Sequence, residues 1–323
     1  MVVSGERVHG GPDGQGAVPH DFSANANACG PCPVAAAAVA AADATRYPDP
    51  RYGALRAALA RRHGVDPERI ALAASASEFI FRFTAWAARS GAPAVSIPAH
   101  AYGDYAAAAL AWGLAVDTAV RPGTLVWACE PSSPLGRADP RIASPASVAG
   151  TLVVDRAYEP LRLAGARTAT PDPAWELWTP NKALGLTGVR AAYAIAPEGA
   201  EPAVAELDAL APSWLLGAHG VALLQAWCAP ACTAWLEQTL PTLRAWKARQ
   251  QAICESLGWR VEPGDANFFL AQVMLAPRDH ARLREHGVQV RDCASFGLPG
   301  RVRLAVRPPV SQDALRAAAE SMR

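Results

Sequence analysis

The amino-acid sequence predicts an α/β fold in which helices flank a mostly parallel central sheet. The clearest predicted strand covers residues 151–158, an apolar run that contains the acid Asp155. Such a run is typical of a buried parallel strand, and ligands of open α/β folds bind at the carboxyl ends of these strands. A shorter apolar run, Ile70–Ala73, leads through small residues into the helical pattern of residues 79–89. At 323 residues the chain can bury one large core and a smaller lobe.

Composition and charge narrow the classes of function. The formal net charge of +1 gives no electrostatic steering toward nucleic acid or an anionic membrane, so we expect a small-molecule partner. No apolar run reaches membrane-spanning length, and the first residues lack the apolar core of a signal peptide. We therefore expect a cytoplasmic protein whose seven cysteines are reduced.

The motif Cys29-Gly30-Pro31-Cys32 has the letters of a thioredoxin-type redox site. That chemistry needs a strand before the motif and a helix that opens at the first cysteine and lowers the pKa of its thiol. The preceding residues, 23–28, have the composition of a loop, which argues against a redox role. Cys228 and Cys232 lie one helical turn apart beside Trp227, where we expect them to pack. No set of side chains has the spacing of a four-ligand metal site.

The first helical segments precede the predicted sheet. Residues 33–44 are rich in alanine and should form a helix that stops before residues 46–50, RYPDP. The two prolines of that segment force extended backbone and present Tyr47 outward. An amphipathic helix is expected next, over residues 56–64.

The turn after Ile70–Ala73 has two interpretations. Ser75, Ala76, Ser77 and Glu78 open the next helix, and the free N–H groups and dipole of a helix start after a strand form a cradle for a phosphate. A capping box in which Ser75 pairs with Glu78 explains the same letters structurally. The residues alone leave both interpretations open.

Aromatic and acidic side chains follow the other predicted strands. Residues 95–97 form a buried strand that leads to Tyr102 and Tyr105, and an aromatic ring at the mouth of a strand can stack on a planar heterocycle. Both tyrosines are also explained as core residues. Leu125–Cys129 is a further strand, and Asp155 ends the next one, either as a ligand-binding acid or as a salt-bridged structural one.

Lys182 is one of very few lysines in the chain. It follows Thr-Pro-Asn and precedes a run of small residues broken by Gly185 and Gly188. Partial desolvation in such a setting lowers the pKa of the amine and makes it a nucleophile toward a carbonyl, as Schiff-base chemistry requires. An ordinary surface lysine in a flexible turn is the alternative.

Residues 178–193, WTPNKALGLTGVRAAY, resemble the cofactor-lysine segment of the fold-type I aminotransferases of class I and II. The resemblance is in particular to the branch of histidinol-phosphate aminotransferase and threonine-phosphate decarboxylase. It implies covalent binding of pyridoxal 5'-phosphate to Lys182, with Thr179 and Arg190 at the cofactor phosphate. It also implies the family's fold, a large domain around a mostly parallel sheet and a smaller α+β C-terminal domain.

The resemblance also assigns residues to the cofactor ring. Tyr102 is expected to stack on the ring, Asp155 to keep the pyridine nitrogen protonated, and Tyr158 to contact the ring oxygen. The expected catalytic residues are therefore Lys182, Asp155 and Tyr102.

Two turns depart from the family pattern. Residues 130–136, EPSSPLG, resemble Asn-Pro-Asn-Asn-Pro-x-Gly and put Ser133 where the family has an asparagine that bonds the ring oxygen. A serine is shorter and still donates a hydrogen bond, so we expect Ser133 to bind the cofactor. Residues 73–75, AAS, replace the usual Gly-Asn-Gly but leave the Ala76 and Ser77 amides for the phosphate.

The two ends of the chain resemble the decarboxylase branch. HGG at residues 9–11, DFSANAN at 21–27 and RDCASFGLPGRVRLAVR at 291–307 carry this likeness. The resemblance implies that Arg303 binds the substrate α-carboxylate and Arg291 the substrate phosphate. The alternative is that these arginines lie on a solvent-exposed strand face and have no binding role. The expected substrate site comprises His9, Gly10, Gly11, Asn25, Arg291 and Arg303.

The resemblance further implies a homodimer in which Tyr47 of one subunit reaches the cofactor phosphate of the other. We expect an N-terminal arm over residues 1–40, a large cofactor-binding domain over 41–211 and a small domain over 212–323. The small domain should contain a helix over residues 243–257 with Lys247 and Arg249 exposed.

The sequence thus predicts an enzyme that acts on a small phosphorylated amino acid with pyridoxal 5'-phosphate. Decarboxylation of threonine phosphate, as in cobalamin biosynthesis, is the leading hypothesis, and transamination by an enzyme of the histidinol-phosphate type with a different substrate is the alternative. Which bond at the α-carbon stands perpendicular to the ring decides between them. A relative that binds the cofactor without catalysis is a third hypothesis, supported by Ser133.

Overall fold

The computed structural model describes residues 10–11, 14–144 and 150–322. His9 lies outside them. The α-helices of the described part are α1 (Pro33–Ala40), α2 (Gly53–His63), α3 (Ala76–Arg89), α4 (Gly103–Ala111), α5 (Glu201–Ala209), α6 (Ala218–Trp227), α7 (Pro230–Ser256), α8 (Pro277–Glu285) and α9 (Pro309–Glu320). The strands are β1 (His20–Asp21), β2 (Ile70–Ala73), β3 (Ala94–Ser96), β4 (Ala115–Asp117), β5 (Leu125–Cys129), β6 (Thr151–Asp155), β7 (Ala174–Trp178), β8 (Ala192–Ile195), β9 (Arg260–Val261), β10 (Phe268–Gln272), β11 (Val288–Gln289), β12 (Arg291–Asp292) and β13 (Arg301–Ala305).

The large sheet has seven strands in the order β2-β8-β7-β6-β5-β3-β4. Strands β4, β3, β5, β6 and β7 run parallel, and β8 is antiparallel to both β7 and β2. This confirms the predicted α/β fold with a mostly parallel sheet. Because the carboxyl ends of β5, β6 and β7 share one edge, the residues that follow these strands meet there.

Aromatic side chains fill the core between the large sheet and α3. The ring of Phe83 lies edge-on to Trp175 at 5.0 Å and to Trp127 at 6.1 Å between centroids. Phe79 lies 5.3 Å from Phe83 on the same helix face, where the amphipathic pattern of α3 places both. This packing holds α3, and with it the helix start after β2, against the sheet.

A second, antiparallel sheet has the order β12-β13-β10-β9. Its pairing sets Arg291 opposite Arg303. The N-terminal β1 pairs with β11 in parallel, and Phe22 after β1 is buried with Phe269 and Leu304. The arm is therefore packed on the second sheet, but the predicted domain boundary at residue 212 remains a prediction.

Several elements differ in extent from the sequence-based prediction. Helix α1 ends at Ala40 rather than at residue 44, and α2 begins at Gly53 rather than at residue 56. Strand β6 ends at Asp155 rather than at residue 158, because the Ala157 N–H turns back to bond the Asp155 carboxylate.

The helix predicted over residues 243–257 is only the second half of α7. This helix runs for 27 residues and contains Pro241. A proline inside a helix costs about 3 kcal/mol, and burial of residues such as Leu236, Leu243 and Ile253 on both sides of it offsets that cost.

Lys247 was predicted to be exposed, and this is wrong. Only 7% of it is accessible, and its ammonium group donates hydrogen bonds to the carbonyl oxygens of Gly264 and Ala266. Arg249 is half-buried and pairs with Asp313 at 2.7 Å. The error has a tertiary cause, since a distant loop folds over α7 at this point.

None of the helices in the described part of the chain is long and apolar enough to cross a membrane.

Candidate active site

Asp155 ends β6 at the carboxyl edge of the large sheet and is 5% exposed. One carboxylate oxygen accepts a hydrogen bond from the Tyr105 hydroxyl at 2.8 Å, and the other accepts one from the Ala157 N–H at 2.9 Å. Burial raises the pKa of Asp155, while these two donors and the positive charge of Lys182 act in the opposite direction. The fold therefore offers a buried acid to a ligand at this edge.

Lys182 lies in the loop after β7 and is half-buried. Its Nζ is 5.2 Å from the centroid of the Tyr158 ring. The N-terminal arm holds this loop in place, because the Asn27 N–H bonds the Lys182 carbonyl oxygen at 2.9 Å. Gly185 has a positive φ of 67°, and a Cβ there would lie 2.6 Å from the Gly30 carbonyl oxygen, so only glycine fits.

The only other lysine in the sequence is Lys247. Its lowered pKa alone would make it an alternative nucleophile to Lys182. Burial lowers its pKa to about 8. Its Nζ is engaged by the Gly264 and Ala266 carbonyls, however, and its charge interacts with Asp265 rather than with Asp155. Geometry therefore favours Lys182 as the reactive amine.

Tyr158 follows β6 and faces the same space. Its hydroxyl oxygen accepts a hydrogen bond from the Asn25 side-chain amide at 3.3 Å, and its ring packs edge-on against Phe268 at 4.9 Å. Asn25 was predicted to line the substrate phosphate site; its side-chain amide bonds Tyr158, and its carbonyl oxygen accepts a hydrogen bond from the Asn267 side chain at 3.1 Å. The arm and the second sheet thus meet at this tyrosine.

The start of α3 combines both interpretations of its sequence. The Ser75 hydroxyl accepts a hydrogen bond from the Glu78 N–H at 3.0 Å, so a structural cap is present. Ala76 and Ser77 occupy the first turn, where helix N–H groups have no partner within the helix. The Ser77 hydroxyl lies 3.1 Å from the Tyr102 hydroxyl, which brings the predicted stacking tyrosine to the predicted phosphate end.

Thr179 and Arg190 flank the lysine loop. Thr179 is buried, and its hydroxyl is within 3.1 Å of the Ala191 carbonyl and 3.0 Å of the Asn181 side-chain oxygen. Arg190 is exposed. Its guanidinium is therefore open to an anion from solvent.

Arg303 lies in the middle of β13 and is 5% exposed. It donates to the Ser133 hydroxyl at 3.0 Å and to the Ser23 carbonyl at 2.9 Å, and its Cζ is 5.4 Å from the Phe268 ring centroid. Within the described residues, Arg303 forms no ion pair with a carboxylate. Ser133, predicted to bind the cofactor, is thus joined to the predicted substrate arginine.

Arg291, opposite on β12, is also buried and donates to the Ser295 hydroxyl at 2.8 Å. Burial and the positive charge of Arg303 lower the pKa of Arg291. Phe296 covers both side chains, with ring centroids 4.9 Å from Arg291 Cζ and 5.8 Å from Arg303 Cζ. Two guanidinium groups thus share one sheltered region.

Gly10 of the arm lies beside Arg303, and Gly11 lies beside Ser23. A Cβ on Gly10 would be 2.2 Å from the Ser23 carbonyl oxygen and 3.1 Å from an Arg303 nitrogen, so only glycine allows this approach. The Gly11 N–H donates to the Ser23 hydroxyl at 2.8 Å. The predicted role of His9 lies outside the described residues.

Tyr47 is not brought to this site within a single chain. It is 77% exposed and stacks on Trp214, with 4.4 Å between ring centroids. The cysteine motif contacts the lysine loop through its backbone, because Gly30 lies against Gly185 and the Cys32 N–H bonds the Leu184 carbonyl oxygen at 2.8 Å. Cys32 is buried with its sulfur 3.5 Å from that of Cys232, and neither Cys29 nor Cys32 forms a disulfide.

Sequence reasoning missed three contributors to the site. Tyr105 was considered only as a core aromatic or ring-stacking residue, yet it bonds Asp155; its position one turn after Tyr102 was the available signal. Ser23 and Phe296 sit in segments that were recognised as motifs, but their contacts to Arg303 depend on tertiary packing.

Known proteins resemble this chain in both sequence and fold. Residues 19–322 match the sequence model of the family described as Aminotransferase class I and II. A histidinol-phosphate aminotransferase from Hyphomonas neptunium is 28% identical, with 94% of this chain and 89% of the relative covered.

Two solved structures show the likeness of fold. Histidinol-phosphate aminotransferase from Sinorhizobium meliloti, in complex with pyridoxal-5'-phosphate, has a TM-score of 0.77 at 22% identity, covering 95% of this chain and 92% of that one. L-threonine-O-3-phosphate decarboxylase from Porphyromonas gingivalis has a TM-score of 0.76 at 20% identity, covering 93% and 98%. At these identities the two likenesses establish the fold alone.

Proposed function

The chain belongs to the aminotransferase class I and II family, and we propose that it acts on a small phosphorylated amino compound. Enzymes of this family are pyridoxal-phosphate enzymes, and pyridoxal 5'-phosphate is the cofactor. One observation carries the proposal: the buried acid Asp155 ends β6, Lys182 Nζ lies 5.2 Å from the ring centroid of Tyr158 three residues further on, and the buried Arg303 bonds Ser133 after the neighbouring β5.

The residues of the site fit the cofactor. Asp155 has a buried carboxylate for the pyridine nitrogen, and the first turn of α3 has free N–H groups for the phosphate. Lys182 has an amine beside Tyr158, whose hydroxyl suits the ring oxygen. Thr179, Arg190, Ser77 and Ser133 supply further hydrogen-bond donors, and Tyr102 supplies an aromatic face.

When bound, pyridoxal phosphate supplies an electron sink for the bond that breaks at the substrate α-carbon. Asp155 holds a proton on the pyridine nitrogen, because a buried carboxylate strongly favours a cationic partner. Tyr102 limits the position of the ring from one face. The amine of Lys182 would move a proton at the α-carbon.

Arg303 orients the substrate through an anionic group. Its guanidinium is prearranged by Ser133 and Ser23, and the rings of Phe268 and Phe296 exclude water around it. A charge-assisted contact in such a sheltered place is strong and directional. Arg291 offers a second anion contact beside it.

Amino-group transfer is the reaction that the relative in sequence supports, since it is named histidinol-phosphate aminotransferase. For transfer, Lys182 Nζ would take the proton from the substrate α-carbon and deliver it to the cofactor carbon that keeps the amino group.

Decarboxylation of threonine phosphate is the second candidate. The observation in its favour is the pair of buried arginines, because this substrate carries a carboxylate and a phosphate that Arg303 and Arg291 can hold separately. In this reaction Lys182 Nζ would deliver a proton to the α-carbon in place of the lost carbon dioxide, and the cofactor would supply the electron sink.

One experiment separates the two reactions. The purified, cofactor-loaded protein is incubated with threonine phosphate or with histidinol phosphate, and released carbon dioxide is measured alongside the conversion of cofactor to its amine form. Transfer predicts the amine form without carbon dioxide, and decarboxylation predicts the opposite. No reaction with either compound would leave the family's cofactor chemistry intact but overturn the proposed substrate class.

We propose further that the protein is a homodimer with Tyr47 at the neighbouring subunit's cofactor phosphate. Support comes from the exposed Tyr47 and Trp214 pair, since large aromatic rings exposed together are typical of an interface.

A further inference from the structure

Tyr105 lies against Asp155 and has no role in the steps above. Its side chain is fully buried, and its hydroxyl donates to Asp155 Oδ2 at 2.8 Å. The other oxygen, Oδ1, accepts the Ala157 N–H. Within the described residues, Tyr105 is the one side-chain hydrogen-bond donor to this carboxylate.

The Tyr105 ring is held on two sides. It stacks on Trp127 of β5, with 5.0 Å between centroids and 11° between planes. It also meets Tyr102 edge-on at 5.9 Å and 88°. A ring fixed in this way cannot swing its hydroxyl away, so the direction of the hydrogen bond to Asp155 is set by packing.

The groups around Asp155 decide whether its carboxylate is charged. Burial disfavours the charge and raises the pKa of Asp155, and the Tyr105 hydrogen bond is foremost among the interactions that oppose this. The charges of Lys182 and Arg156 oppose it as well. Cys129 on β5 faces Asp155, but burial raises the pKa of its thiol far enough that it stays neutral.

We propose that Tyr105 is a positioning residue whose hydroxyl fixes the orientation of the Asp155 carboxylate and keeps it ionised for a protonated ring nitrogen. This rests on the proposed function of Asp155. The hydroxyl bonds Oδ2 from the α4 side, which leaves lone pairs of the carboxylate for a ligand. The hydrogen bond therefore orders the acid before the cofactor arrives.

The test is the Tyr105→Phe variant, which removes one hydroxyl and keeps the stacked ring. In the cofactor-free protein, the infrared band of a protonated carboxylic acid is followed against pH and assigned to Asp155 by its loss in Asp155→Asn. The midpoint should rise by about one to two pH units, the size of one hydrogen bond to a charged group. The dissociation constant for pyridoxal phosphate should rise about tenfold, because the ring nitrogen then meets a partly neutral partner.

Tyr193→Phe is the matched control. The Tyr193 hydroxyl is also buried, and it bonds Trp227 at 3.0 Å and His63 at 2.7 Å on the opposite side of the sheet. Its loss should lower stability without moving the Asp155 midpoint or the cofactor dissociation constant.

A second variant covers the case in which Tyr105→Phe does not fold. Replacement of Tyr105 by 3-fluorotyrosine keeps the shape and makes the hydroxyl a stronger donor, so the midpoint should fall. An unmoved midpoint in the folded variants, or an equal shift in Tyr193→Phe, overturns the role of Tyr105 while the proposed function stands. Failure of the cofactor to bond Lys182 overturns the proposed function while a midpoint shift still supports the hydrogen bond.

Discussion

At the residue scale, Arg303 is a charged side chain that the fold buries among neutral partners, which suits it to the anion site proposed above. Packing removes its guanidinium from water, and Ser133 and Ser23 occupy two of its donors. A buried cation whose hydrogen-bond partners are neutral remains electrostatically undersatisfied. On the proposed function, an anionic group of the substrate would supply the missing charge.

Arg303→Lys keeps the charge but loses the planar fork, so it cannot hold Ser133, Ser23 and a substrate anion together. We expect KM for whichever of threonine phosphate and histidinol phosphate reacts to rise about 30- to 100-fold, equivalent to about 2–3 kcal/mol of lost charge-assisted hydrogen bonding. Steady-state kinetics measure this.

The control is Arg301→Lys, which lies on the same face of β13 two residues away. Arg301 is half-exposed and pairs with Glu262 at 2.6 Å, so its replacement should leave KM within about twofold. Equal effects of the two substitutions on KM would remove the special role of Arg303.

At the scale of elements, the segment between β9 and β10 joins the two sheets at the site. The Asp265 N–H bonds the Gly136 carbonyl, and the Asp265 carbonyl accepts the Leu163 N–H, each at 2.5 Å. From the other side Lys247 of α7 bonds the Gly264 and Ala266 carbonyls. This segment therefore ties α7 to the turn that carries Ser133.

The buried lysine predicts a pH-dependent stability. Folding lowers the pKa of Lys247 from 10.5 to about 8, so between these values the unfolded chain binds more protons and stability rises with pH. The cost of burying the ammonium is fully present below pH 8 and is relieved toward pH 10.5. It amounts to about 3 kcal/mol.

The unfolding free energy of the native chain, relative to that of the Lys247→Met variant, should increase by about 3 kcal/mol between pH 7 and pH 10.5. Urea denaturation of both proteins at several pH values measures the difference, and other titrating groups cancel. A difference that stays flat or falls with pH would show that Lys247 is not buried as an ammonium group.

How much the sequence reveals depends on the range of the interactions. Ile70–Ala73 and Leu125–Cys129 were predicted with their observed bounds, because a short apolar run between turn residues is a local signal. The Tyr105 to Asp155 hydrogen bond spans 50 residues, and the burial of Lys247 depends on a loop 17 residues away. Neither interaction produces a periodic pattern in the sequence. The continuation of α7 through Pro241 is also not predictable from local sequence, because a proline usually ends or kinks a helix.

At the scale of the whole molecule, one chain gathers most of the expected site but leaves Tyr47 outside it. Tyr47 and Trp214 are exposed together at the surface, and the Trp214 N–H bonds the Pro48 carbonyl at 3.2 Å. The pair is thus held in place before any partner arrives. The proposed homodimer would bring this pair to the neighbouring site.

Mixing two inactive variants tests the shared site. In a hybrid of Lys182→Ala and Tyr47→Ala subunits, one site has both native residues if Tyr47 acts across the interface. After denaturation and refolding together, half of the dimers are hybrids, so about a quarter of native activity should return. Activity no higher than that of the separate variants would place Tyr47 in its own subunit's site or in none.

The most direct measurement concerns the bond between Lys182 and the cofactor. The sequence has only two lysines, Lys182 and Lys247, so a label trapped on a lysine has two possible positions. The protein is saturated with pyridoxal phosphate, reduced with borohydride, digested and analysed by mass spectrometry. The label is expected on the peptide that contains Lys182, should be lost in Lys182→Ala and should be retained in Lys247→Met. A label on Lys247, or no label on a cofactor-saturated protein, would show that Lys182 is not the amine that bonds the cofactor.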